Sequence, residues 1–281
     1  MNLFNIIEDI EKVDPEIHER LNPRRAAIKN ITSFGSKVAV AAMPFALGTL
    51  FKKAYGEASA TDVVGVLNFA LTLEYLEAEF YNQATSANVI PAANRSYIAP
   101  ITRDENAHVN FLKTVITSLN ATPISKPEID LSGGNGSGNG PYKAALTDFA
   151  TFLTVAQVFE DTGVRAYKGQ APTLVGNKTV LTAALSIHAV EARHAAAIRQ
   201  LRHDLGQSDS TRPYIQSTAS LGNDTGLSAV NGNYEGEQNV KQGGIDLTSL
   251  ANVRIVTGAF DEPLGTQDVL NLLSGTFLVK K

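Results

Sequence analysis

The sequence predicts an all-α fold: a four-helix bundle with a long crossover between its second and third helices, an N-terminal arm and an irregular C-terminal tail. Three observations predict it. Apolar residues recur at helical spacing through residues 61–206, as in amphipathic helices that share a core. The run Ser132-Gly133-Gly134-Asn135-Gly136-Ser137-Gly138-Asn139-Gly140-Pro141 splits that region into two helical pairs. Beyond residue 206 the chain turns to Gly, Asn, Ser and Thr, with short apolar runs such as Val253-Arg254-Ile255-Val256.

Residues 1–60 are the first segment. They open on a charged helical pattern with Leu3, Ile6, Ile7, Ile10 and Val13 on one side. Arg24-Arg25, an apolar stretch over 38–51 and Ala58-Ser59-Ala60 follow. A charged start, a short apolar run and small residues at a cut site make an export-signal layout, and the paired arginines resemble a twin-arginine signal. Ala27 stands where such signals carry Phe, and the preceding segment is long and acidic. The alternative is an amphipathic arm that docks on the domain or on a partner. The first reading places the chain in the periplasm, the second in the cytoplasm.

Within 61–206 the spacing predicts helices near 62–84, 94–120, 143–168 and 178–206. Thr61-Asp62 can cap the first by accepting from free backbone N–H groups, and Pro91 separates the first pair. The Gly-rich run reads as a flexible loop, placed where a bundle puts its long crossover. It lacks the Gly-Lys-Ser/Thr ending and preceding strand of a phosphate loop. The tail, 207–281, is expected to wrap the bundle, with a helix near 266–274 capped by Thr266.

Composition narrows the chemistry. Hydrophobic residues make up 43% of the 281, enough for a buried core. A net charge of −4 with no basic stripe excludes a nucleic-acid interface. No apolar run reaches the length of a membrane span, and Pro44 interrupts the longest, Val38 to Phe51. There is no Cys, so disulfides, thiolate zinc sites, iron–sulfur clusters and a Cys nucleophile are excluded. A metal site here must use His, Asp and Glu, which favours iron, manganese or zinc.

An internal repeat supplies such a site. Glu105-Asn106-Ala107-His108 and Glu191-Ala192-Arg193-His194 are two Glu-x-x-His motifs 86 residues apart (191 − 105). The same shift carries Glu74 onto Glu160 and Tyr81 onto Tyr167. Residues three apart share a helix face, so each motif offers a carboxylate and an imidazole to one point. With one further Glu from each facing helix, six ligands come from four helices, as in di-iron and di-manganese carboxylate bundles. Each ligand sits in an apolar stripe, Glu74 for example among Leu67, Leu71, Ala78 and Tyr81. Buried carboxylates are costly unless paired or metal-bound. One Glu-x-x-His is a weak motif; two at equal offset from two further glutamates are not. The alternative is a set of buried Glu–Arg or Glu–His pairs, with Arg165 and Arg193 as the arginine partners.

Four more residues are candidates for the site's surroundings. Glu77 lies one turn after Glu74 and could replace it, but has no Glu counterpart under the shift. His188 precedes Glu191 by three and can reach the site's edge or serve as an interior residue. Tyr81 and Tyr167 can hydrogen-bond the ligand carboxylates or be core aromatics.

The helix signatures Leu71-Thr72-Leu73-Glu74-Tyr75-Leu76-Glu77-Ala78-Glu79-Phe80-Tyr81, Asp104-Glu105-Asn106-Ala107-His108 and Val190-Glu191-Ala192-Arg193-His194, with Ala259-Phe260-Asp261-Glu262-Pro263-Leu264 in the tail, resemble the ferritin-like superfamily. The resemblance is closest to the group that includes desiccation-related proteins. It implies a ferritin-like bundle with Glu74, Glu105, His108, Glu160, Glu191 and His194 as ligands to two metal ions, iron or manganese, with zinc as a further option. Members of the superfamily oxidise ferrous iron, reduce or disproportionate peroxide, or activate oxygen. The expected function is redox handling of oxygen or peroxide in stress protection, as a ferroxidase, peroxidase or catalase-like oxidoreductase. The alternative is a non-enzymatic stress- or desiccation-associated structural protein, with iron storage third. Assembly into a homo-oligomer is compatible with each, although the long tail and N-terminal extension suit a closed storage cage poorly.

Overall fold

The structure, a computed structural model, describes residues 60–207, 211–215, 225, 232–242 and 244–280, with side chains from Val63 onward. The N-terminal arm or export segment expected over 1–60 and the Thr61-Asp62 cap lie outside what is described.

Four long helices form the bundle: α1 (Ala60–Ser86), α2 (Arg95–Ser118), α3 (Phe149–Gln170) and α4 (Lys178–Asp204). Helix α1 packs on α2 and α3 on α4, and the pairs meet through α1–α3 and α2–α4. The second and fourth helices end within two residues of expectation. The third begins six residues late. Asp148, in extended backbone, accepts from the Thr151 N–H at 2.7 Å and fixes the start there, leaving Lys143–Leu146 as a separate 3-10 turn. Asn177 caps α4 in the same way through the Val180 N–H. No helix among the described residues is long and apolar enough to cross a membrane.

The crossover is more ordered than its composition suggests. Asp130 gathers it by accepting from Ser132 N–H, Ser132 O–H and the N–H groups of Gly136 and Gly138. Glycine serves at Gly136 because the backbone takes φ +89° there, in the left-handed region. The crossover also pairs with the tail: Asp130 donates its N–H to Phe277, and Ile129 bridges Leu278.

The described tail holds a two-residue hairpin, β1 (Lys241–Gln242) with β2 (Ile245–Asp246), and two short helices, α5 (Val253–Thr257) and α6 (Thr266–Leu273). Gly265 rather than Thr266 caps α6, its N–H reaching Asp268 Oδ2 at 3.2 Å. Phe277 enters the core against Phe159, ring centres 4.9 Å apart. Phe80 stacks on Phe152 beside them, centres 5.0 Å apart.

Candidate metal centre

The four helices bring all six predicted ligands to one point in the interior. Glu74, Glu105, Glu160 and Glu191 are fully buried, and His108 and His194 nearly so. His108 Nδ1 lies 3.1 Å from Glu74 Oε2, 3.1 Å from Glu105 Oε2 and 3.3 Å from Glu191 Oε1. His194 Nδ1 lies 2.7 Å from Glu105 Oε1 and 3.4 Å from Glu160 Oε2. The imidazole centres stand 6.4 Å apart.

The cluster divides into two groups of ligand atoms, each within 4.8 Å: Glu74, Glu105, His108 and Glu191, then Glu105, Glu160, Glu191 and His194. The 86-residue shift carries one group onto the other by exchanging Glu105 with Glu191. Both groups share those two carboxylates.

The arrangement fits two cations. Glu105 Oε1, Glu160 Oε2, both oxygens of Glu191 and His194 Nδ1 are buried without hydrogen-bond partners. The 2.7 Å approach of His194 to Glu105 is therefore close but misaligned for a hydrogen bond. Such atoms are costly to strand in a protein interior. Four carboxylate charges match two divalent ions, and an all-oxygen-and-nitrogen set suits iron, manganese or zinc.

Burial and the close charges shift the pKa values of the cluster. Burial pulls the His194 pKa down, but Asp104, Glu105 and Glu160 outweigh it and push it up to about 12. His108 is likewise held well above its usual range, since Glu74, Glu105 and Glu191 overcome burial. Burial pushes Glu105 up to about 7 against the pull of both histidines. Burial and the neighbouring carboxylates raise Glu191 and Glu77 well above the ordinary range. Glu74 goes the other way, because His108 outweighs its burial.

The surrounding candidates separate. Tyr81 on α1 donates its hydroxyl to Glu160 on α3, and Tyr167 on α3 donates to Glu74 on α1. The two bonds are each other's image under the shift. Glu77 is buried beside the cluster. His188 takes the second of its two expected places: its Nδ1 donates to the Val164 carbonyl at 3.0 Å and meets no ligand carboxylate. Of the ion-pair alternative, the Glu–His half matches the contacts of His108 and His194, and the arginine half does not. Arg165 pairs with Glu237 at 2.8 Å, and Arg193 is exposed.

Two features escape motif reasoning. Asp104, half-exposed, lies 3.4 Å from His194 Nε2 and orients that ring so that Nδ1 faces the cluster; its only sequence signal is adjacency to Glu105. A second buried polar network joins α3 and α4 to the tail. Asp161 accepts from two Arg199 nitrogens and from Tyr234 at 2.7 Å. Gln157 donates to Tyr234 and accepts from Arg202.

A comparison with curated proteins finds no match to this chain. Among protein families, the ferritin-like domain matches residues 62–204, which spans all four helices and all six clustered residues. The chain belongs to the ferritin-like domain family.

Proposed function

We propose that this protein holds two ions of iron or manganese and handles oxygen or peroxide in oxidative protection. The reading rests on one observation: two ligand groups, each with its own Glu and His, share Glu105 and Glu191. Glu74 with His108 would hold one ion, Glu160 with His194 the other, and Glu105 and Glu191 would lie between them. When bound, two such ions would supply electrons to dioxygen or peroxide, or accept them from peroxide. The protein's part is positional. Tyr81 and Tyr167 hold the outer carboxylates in place and offer protons beside them. The complete burial of the four glutamates keeps bulk water away. The histidines are the most exposed of the six, so small molecules reach the site from the side where Asp104 meets solvent.

The burial of all six residues favours one other reading: a metal that only cross-links the bundle, in a structural stress-associated protein. Expression with iron and manganese supplied, then elemental analysis, oxygen consumption and peroxide loss, decides between them. The expected result is about two ions per chain together with turnover of oxygen or peroxide. Two ions without turnover support the structural reading. Metal-free protein after such expression overturns both metal readings.

A further inference from the structure

The two half-sites match in their ligands but not in what stands behind them. Under the 86-residue shift Glu77 falls on Gly163, and Asp104 falls on Val190. Neither carboxylate therefore has a counterpart under the shift. These differences bear on one side of the cluster.

Glu77 lies one turn beyond Glu74, so its side chain follows the same face of α1 into the interior. It is 3% exposed, a fifth buried carboxylate among four. Gly163 makes room for it. A Cβ at that position would stand 3.2 Å from Glu77 Oε1 and 3.1 Å from Glu191 Oε2, closer than most side chains tolerate. Gly163 also lies one turn beyond Glu160 on α3, so Glu77 approaches the cluster from the Glu160 side. The carboxylates that act on Glu77, strongest first, are Glu191, Glu105, Glu160 and then Glu74. The oxygens of Glu191 beside it have no hydrogen-bond partner.

Asp104 acts on the same half-site. It meets Nε2 of His194, whereas the residue that the 86-residue shift pairs with Asp104 is the apolar Val190. A carboxylate on the far nitrogen orients an imidazole and makes its near nitrogen a stronger donor.

We infer that the two metal positions are unequal, and that the one held by Glu160 and His194 fills first because Glu77 and Asp104 reinforce it alone. The inference rests on the two-metal reading above. It makes loading sequential: the first ion sets Glu105 and Glu191 in place, and the second then meets a half-built site.

Stepwise addition of Co²⁺ to the metal-free full-length chain, followed by calorimetry and visible absorption, tests it. Two steps are expected, the first tighter by about 10–100-fold, the usual weight of such outer partners. Glu77→Gln and Asp104→Asn should each weaken the first step by about tenfold and leave the second within about twofold. Glu77→Gln should also change the visible spectrum of the first Co²⁺ equivalent, which a purely structural role would not. Asp104 is half-exposed, so its variant folds even if a buried change does not. Val190→Asp gives the other half-site the missing carboxylate and should tighten the second step, narrowing the gap. Two equal steps overturn the inequality while leaving the two-metal reading intact. So does a gap unmoved by both Glu77→Gln and Asp104→Asn. No Co²⁺ binding overturns the two-metal reading and the inequality with it.

Discussion

Glu105 places burial and pairing in direct opposition. It accepts from His108, lies against His194 and still has its pKa pushed up to about 7 by burial. The sign of its effect on stability follows. A carboxyl that keeps its proton more tightly when folded stabilises the fold at low pH and loses that contribution between its unfolded pKa, near 4.5, and about 7. The raised histidines act in the same direction above their unfolded value of 6.5, and Glu77 and Glu191 add to it. Glu74, lowered, opposes them only below about pH 4.5. Metal-free protein is therefore expected to melt at lower temperature at pH 8 than at pH 5, by about 2–4 °C per kcal/mol lost. Bound metal should abolish the drop, and paired thermal scans of metal-free and loaded protein check both halves. The tyrosines give a second residue-level outcome. Tyr81→Phe and Tyr167→Phe each strand a buried carboxylate oxygen, at a cost of about 1–3 kcal/mol in metal-free protein by urea unfolding. Because the shift relates the two bonds, the two costs should agree within about 1 kcal/mol, inside the spread of such measurements.

Helix α3 shows why one-face periodicity captured the site and missed its setting. Its stripe of Leu153, Ala156, Glu160, Val164 and Tyr167 is legible as a core face, and the 86-residue shift singles out Glu160 and Tyr167 on it. Yet every residue from Phe152 to Tyr167 is buried, because the tail covers the side that a bundle alone would leave to solvent. Arg165, read from sequence as a partner for the glutamates, instead pairs with Glu237 and donates to the backbone of Asn233, Glu235 and Glu262. Asp161 and Arg199 stand 38 residues apart with no repeat to link them, so nothing in the sequence paired them. The closest approach is at Gly169, where a Cβ would fall 1.9 Å from the Leu264 carbonyl oxygen. Gly169→Ala should lever that strand of tail off α3 while the bundle helices persist. Limited proteolysis is expected to cut within 232–280 in the variant and spare the parent, with little change in helical circular dichroism. Equal resistance would mean that the contact yields without undocking. Arg199→Met leaves Asp161 buried without its ion partner and should cost about 3–5 kcal/mol in urea unfolding.

Across the chain, the halves of the bundle carry the clustered glutamates and histidines as near copies, and the tail contributes buried apolar surface that the copies lack. We propose that the described part of the tail, which the sequence leads one to expect around the bundle, belongs to the same cooperative unit despite its Gly- and Asn-rich composition. Side-chain burial supports this. Leu264, Val269, Leu273, Phe277 and Leu278 are all buried, and each belongs to the one hydrophobic cluster that also holds Phe80, Phe152 and Phe159. At about 1.5–3 kcal/mol per fully buried apolar side chain, these five are worth roughly 8–15 kcal/mol. That equals the whole net stability of a typical domain, about 5–15 kcal/mol. A chain ended after Gln207 would also turn Tyr142, stacked on Phe277, and Phe159, edge-on to it, toward water. It would remove the partners of Arg165 and the Tyr234 bond to Asp161 as well. Such a truncation is expected to lose its cooperative thermal transition and to bind a hydrophobic dye, although all six clustered residues remain. A sharp transition near the parent's melting temperature would make the tail an accessory after all.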